Sequence, residues 1–188
     1  DWQIADAVSA YPQSFDFDGS NDWVDCGNAF TETGAFTISS WINTSSSAAA
    51  SVLYKNGVFQ FGKDSWYNGG AGTAPFLSIT DSNGLTKTFR NGVAASGSTV
   101  TVGTFIDLKD SNWHNITFTY NGTNQGKYYT DGVLTYTYDI TDGAWAGTLA
   151  SNSNSLFIGK TTAASWIGKI SNAQIFNTSL PATGTDSV

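Results

Sequence analysis

From residue 14 onward, apolar and polar positions alternate in short runs rich in Phe, Val, Ile, Thr and Tyr, broken by Gly, Asn and Asp. The clearest runs are FTISSWI (36–42), SVLYK (51–55), WHNITFTY (113–120) and GKYYTDGVLTYTY (126–138). In the third, Trp113, Asn115, Thr117 and Thr119 alternate with His114, Ile116, Phe118 and Tyr120. A period of two puts the second set on one face, so the run predicts a strand with one apolar and one largely polar side. Turn chemistry recurs at Lys55-Asn56-Gly57, Ser82-Asn83-Gly84, Asn121-Gly122 and Asp131-Gly132, where Asn, Asp and Gly accept positive φ, and it predicts antiparallel neighbours there. No window sustains a capped helical period, and SSSAAAS (45–51) reads as a loop. The stretches YNGGAGTAP (67–75) and LASNSNS (149–155) read as long surface loops, the usual carriers of function in a β-sandwich.

Length sets the scale of this all-β pattern. A chain of 188 residues buries about 70% of its unfolded surface, which is enough for one core without disulfides or metal. The organisation expected is a leader or linker over 1–13, a single folded all-β body over 14–180 and a C-terminal tail over 181–188. The lack of methionine suggests processing, or a piece of something longer. Only 12% of residues are charged, which could signal disorder, but 14% are aromatic and supply the burial that disordered chains lack. With a net charge of -7 and singly scattered Lys and Arg, the chain has no basic stripe for nucleic acid, and no apolar run suited to membrane insertion. The one cysteine, Cys26, excludes an intrachain disulfide and is expected to be a small buried thiol.

Five segments in order, SFDFDGSNDWVDCGN (14–28), AFTISSWINTS (35–45), SNWHNITFTYNGTNQGKYYTDGVL (111–134), SLFIGK (155–160) and WIGKISNAQIFNTSL (166–180), resemble the laminin-G-like, concanavalin A-like jelly rolls. WHNITFTYNG is the most specific, because the Trp-His pair, the apolar alternation and the Asn-Gly turn occur together. The resemblance covers nearly the whole chain and implies an all-β fold, a two-sheet antiparallel jelly-roll β-sandwich. That family includes lectins, adhesion modules, virion appendages and some glycoside hydrolases or lyases, so fold alone leaves function open. The wording FDFDGSNDWVDCGN, with the terminal IFNTSLPATGTDSV, is similar to laminin-G-like modules of bacteriophage structural proteins.

Hydrolases of this fold carry a Glu-x-Asp-x-Glu strand, whose carboxylates flank the scissile bond. Here Glu32 is the one glutamate and has no acidic partner two or four residues away. Asp16 and Asp18 share a strand face, but in the family's first structural strand. The sole histidine, His114, would have to serve any triad or lyase base, and it falls on the family's structural Trp-His motif. The chain therefore reads as a binding protein without catalytic activity.

Sugar recognition by a sandwich needs flat aromatic faces bordered by amide, hydroxyl and carboxylate groups. The glycan-binding candidates are Trp66 and Tyr67 before the 67–75 loop, Trp145 in TDGAWAG, and Trp166 at the start of the last strand, whereas Trp23, Trp41 and Trp113 are assigned to packing. The family often holds a structural calcium ion; the resemblance places its last-strand side-chain ligand at Asn172, where Asp is commoner, and the acidic DFDGSND run offers Asp18 as a second. The expected function is an extracellular or virion-surface adhesion module that recognises surface glycans or polysaccharide. The alternative is a phage decoration or appendage subunit that binds copies of itself or neighbouring extracellular or virion proteins.

Overall fold

The computed structural model describes residues 13–65, 73–90, 96–102, 106–162 and 164–180, and no helix occurs among them. Two antiparallel sheets form a sandwich. The seven-stranded sheet runs in the order β1 (Phe15–Asp18), β13 (Ile167–Phe176), β3 (Phe36–Asn43), β9 (Trp113–Tyr120), β10 (Gln125–Thr130), β11 (Val133–Ile140) and β8 (Ser98–Val102). The six-stranded sheet runs β2 (Val24–Asp25), β12 (Leu156–Ile158), β4 (Ala50–Lys55), β5 (Phe59–Lys63), β6 (Pro75–Thr80) and β7 (Thr86–Arg90). The four strongest alternating runs all became strands, and the one spanning 126–138 became the β10–β11 hairpin. Asp131 and Gly132 turn that hairpin with φ of 52° and 75°, the left-handed pair that a two-residue turn requires.

The core lies between the sheets and is mostly aromatic. Phe36, Phe118 and Tyr120 from one sheet meet Phe59, Phe61 and Phe89 from the other, all with little or no exposure. Phe61 stacks on Tyr128 with ring centroids 5.9 Å apart, and Phe89 lies 4.9 Å from Tyr138. Each such ring contributes about 1.5–3 kcal/mol of transfer free energy, so this layer is what holds the two sheets face to face.

Two expectations change in the folded chain. Cys26 is exposed, because it follows the two-residue strand β2 at the rim of its sheet and is not an inward position of a long strand. Strand β9 also buries much of its polar side, for it is flanked by β3 and β10 in the middle of the seven-stranded sheet. There Asn115 donates to Ser39 at 3.2 Å, Thr117 bonds Ser39 at 2.8 Å, and Thr117 donates to the Asn115 amide oxygen at 2.8 Å. The polar residues of that face satisfy one another in place of water.

Three buried lysines at strand positions tie down loops. The Lys55 ammonium donates to the Asn28 side chain at 2.5 Å and to the Asn154 carbonyl at 2.7 Å. Lys63 donates to the carbonyls of Ser46, at 2.8 Å, and Ala48, and lies 5.7 Å from the Trp166 ring centroid. Lys87 bonds the Ser96 carbonyl and the Asp142 carboxylate, both at 2.7 Å. Burial pushes the Lys63 ammonium down to about 8, and the nearby Asp107 and Asp64 carboxylates counter this only in part. Lys63 and Lys55 thereby fix the loops that border the outer face of the six-stranded sheet.

Candidate functional site

The outer face of the six-stranded sheet carries a groove. Register builds it directly. Tyr54 pairs with Gln60 and Gln60 with Ser78, so these side chains form one row across β4, β5 and β6. Gly62, Phe76 and Arg90 form the next row across β5, β6 and β7. Gly62 is required in that row, because a Cβ there would overlap the Ala50 carbonyl where β4 bulges between Ser51 and Leu53. A hollow of about 340 Å³ lies on this face, bounded by Tyr54, Gln60, Phe76 and Arg90 from the strands and by Thr161 and Thr162 from the loop after β12. Its volume lies within the range of small-ligand sites.

One carboxylate, Asp64, reaches the groove among its described lining residues. It is nearly buried, accepts the Ser65 amide at 2.7 Å and accepts the Arg90 guanidinium at 3.2 Å. Arg90 is the chain's single arginine and its side chain stays 50% exposed.

An aromatic extension continues from Tyr54 toward the β2 edge. Phe157 pairs with Tyr54 on one side and with Asp25 on the other. Trp23, two residues before Asp25, is 46% exposed and corrects the packing role expected from the sequence. The Lys160 ammonium sits 3.6 Å from the Trp23 ring centroid and 4.6 Å from that of Phe157, a cation–π arrangement that holds both rings.

The aromatic positions expected to bind glycan fall elsewhere. Trp66 and Tyr67 lie outside the described residues. Trp166 is wholly buried in the core and presents no face to a ligand, which corrects its assignment as a stacking residue. The reason is position: Trp166 precedes β13 with its ring directed between the sheets. Trp145 is half-buried against the core, and its indole N–H donates to the Tyr120 hydroxyl and to the Thr123 carbonyl, each at 2.9 Å. It meets Tyr120 edge-on at 6.5 Å and closes the rim of the sandwich.

The calcium ligands inferred from resemblance do not converge. Asp18 is opposite Ile167 on β13, whereas Asn172 lies five residues farther along that strand, a separation of about 16 Å at 3.3 Å per residue. Asp18 instead turns its carboxylate to the Ser20 amide at 2.7 Å, and Asn172 occupies the bulge of β13 with φ of 49°. These two residues cannot share one ion, and the donor set does not fit the expected site.

His114 occupies a buried position on the seven-stranded sheet, between two carboxylates. Nδ1 is 2.8 Å from Asp131 and Nε2 is 3.0 Å from Asp110. Burial opposes its charge, but the hydrogen bonds to Asp131 and Asp110 outweigh it and raise the pKa above the ordinary 6.5. Two anions around one imidazole favour the imidazolium, a structural ion and not the neutral base a hydrolytic or lyase mechanism needs.

Residues 18–183 match the concanavalin A-like lectin/glucanases superfamily, in its Laminin_G_3 family, and the chain belongs to that family. No curated protein sequence matches the chain. Among solved structures it is similar to a protein from Bacteroides ovatus described as carbohydrate-binding, at 17% identity and a TM-score of 0.57, with 88% of this chain and 44% of that one covered. The receptor-binding domain of botulinum neurotoxin D is similar at 15% identity and a TM-score of 0.57, with coverage of 90% and 41%. Domain 4 of an extracellular arabinanase from Geobacillus stearothermophilus, solved with arabinotriose, is similar at 11% identity and a TM-score of 0.55, with coverage of 94% and 87%. The chain thus spans less than half the length of the first two, and at these identities the likeness is one of fold.

Proposed function

We propose that this domain is a non-catalytic glycan-binding module of an extracellular or virion-surface protein, and that the groove on the outer face of the six-stranded sheet is its site. The observation that carries this reading is the co-location of Tyr54 and Phe76 with Gln60, Arg90 and Asp64 around one 340 Å³ hollow. Aromatic side chains supply apolar faces for pyranose C–H surfaces, and the amide, guanidinium and carboxylate groups match sugar hydroxyls. The similar proteins described as carbohydrate-binding, or solved with arabinotriose, support the same reading. Glycosidase chemistry needs two carboxyl groups across the scissile bond, and Asp64 stands alone among the described lining residues, tied to Arg90.

A glycan-array screen of the wild-type domain beside Tyr54→Ala, Phe76→Ala and Trp66→Ala tests the proposal. Hits lost in the Tyr54 and Phe76 variants support the groove. Hits that survive both and vanish with Trp66→Ala move the site to Trp66, and a blank array overturns the glycan reading. A second reading, a structural module that contacts protein neighbours, is favoured by the exposed apolar residues Phe15 and Ile167 on the β1–β13 pair and Val133 and Leu134 at the β10–β11 turn. Self-association that Phe15→Ser abolishes in light scattering would support that alternative.

A further inference from the structure

The basic residues of this acidic chain are unevenly spent. Of seven lysines and one arginine, Lys55, Lys63 and Lys87 are buried as loop clamps, and Lys169 pairs with Asp16. Two of the remaining cations, Arg90 and Lys160, stand at opposite ends of the same outer face. Arg90 bounds the groove on β7. Lys160 directly precedes the groove-lining Thr161 and covers Trp23 and Phe157, the neighbours of Tyr54. From β4 to β7 the face spans three strand spacings, about 14 Å at about 4.8 Å each, which suits a short oligosaccharide.

Asp64, the one carboxylate among the groove's described lining residues, is turned away from a ligand. Asp64 is 7% exposed at its side chain and engaged by Arg90 and Ser65. Asp25, at the β2 edge beyond Phe157 and outside the groove lining, accepts the Gly27 amide at 2.8 Å and stays exposed. Among the described residues Lys160 has no carboxylate within ion-pair distance. A ligand approaching the groove therefore meets two accessible cations in a protein of net charge -7. Arg90 contributes a planar fork that pairs with carboxylates bidentately, and one of its terminal nitrogens donates to Asp64.

We infer that the groove selects a carboxylate-bearing saccharide, a uronate or related acidic sugar, with its acid group on the Arg90 guanidinium and its chain extending across Tyr54 toward Trp23 and Lys160. This rests on the groove reading above. Neutral sugars would satisfy Tyr54, Phe76 and Gln60 equally well, but they would leave the exposed Arg90 side chain to water. Lys160 adds a second positive charge and keeps the Trp23 ring in place as a stacking surface.

The test is isothermal titration at physiological salt with trisaccharides of galacturonate, mannuronate and glucuronate, each beside its carboxyl-reduced counterpart of the same stereochemistry. At least one acidic trisaccharide is expected to bind about tenfold or more tightly than its reduced form. Arg90→Gln should remove that preference, Lys160→Gln should weaken it, and Tyr54→Ala should weaken binding to both forms. Thermal melts verify that each variant is folded. Equal affinity for an acid and its reduced partner, or a preference untouched by Arg90→Gln, overturns acid selection while leaving the groove in place. Loss of acid binding in Arg90→Gln with no effect of Tyr54→Ala would show that Arg90 holds the acid without the Tyr54 face and overturn the inferred path of the chain across it. Absence of binding to every acidic sugar, with array hits only among neutral glycans, overturns acid selection alone. Absence of all hits overturns the groove as well.

Discussion

Replacing Asp131 by Asn tests the electrostatics of the His114 cluster. Asn tolerates the φ of 52° at this turn and its amide oxygen can still accept the Asn115 N–H, now bonded at 2.8 Å, so the change removes charge and little else. What is lost is the charge-assisted bond from the imidazolium to Asp131, about 1.5–3 kcal/mol for a shielded pair. The Asp131 side chain is 36% exposed, so solvent screening reduces this to about 1–2 kcal/mol. For a domain of this size that corresponds to a fall in melting temperature of about 3–6 °C.

The sign with pH follows from the raised pKa. The folded state holds the His114 proton more tightly than the unfolded chain, so the contribution is fully present below the ordinary 6.5 and is lost as pH rises through the folded value. A neutral imidazole has a single N–H and must turn a lone pair toward one of its two carboxylates, which is why the stabilisation fades. Asp110 titrates in the opposite sense. Burial raises its pKa, but hydrogen bonds from Asn112 and His114 prevail and lower it, so its contribution is present above the ordinary 3.8 and lost at lower pH. Urea melts of wild type and Asp131→Asn at pH 5.5 and pH 9 should therefore differ by the full amount at the lower pH and by almost nothing at the higher. As the chain has one histidine, its imidazole titration by NMR is unambiguous and should have a midpoint above 6.5 that falls in the variant. A wild-type midpoint at or below 6.5, or an equal destabilisation at both pH values, would refute the reasoning.

Tyr120→Phe should cost about 1–2 kcal/mol, because the hydroxyl that bonds the Gly147 carbonyl at 2.6 Å and accepts the Trp145 indole is lost. Denaturant melts give the cost, and the Trp145 emission should shift to the red as the rim loosens. Gly126→Ala should destabilise by about 1–3 kcal/mol, because the new Cβ would overlap the buried Phe118 ring, which is hemmed in by Phe36, Phe89 and Tyr128. A melt unchanged within error would show that the inner layer has more room than its contacts indicate.

The period-two alternation and the Asn-Gly and Asp-Gly turns were enough to determine strands, hairpins and an all-β chain, since both signals are local: they record which face a residue occupies and where φ turns positive, whereas the two-sheet sandwich was implied by the family resemblance. The shortage of carboxylates suited to glycosidase chemistry was also visible by counting. The site was not. Phe76, out of phase with Leu77 and Ile79 on the same strand, was the one local sign of an aromatic on the outer face. That it stands beside Tyr54, Gln60 and Arg90 depends on the register of four strands and on the bulge that Gly62 permits. The same holds for Trp166 and Trp23, indistinguishable as indoles in the sequence. One became core and the other surface because burial is set by which sheet covers a residue, a property of long-range pairing and not of neighbouring residues. Asp18 and Asn172 make the converse point, as they share a pair of hydrogen-bonded strands yet remain about 16 Å apart because antiparallel register offsets them by five residues.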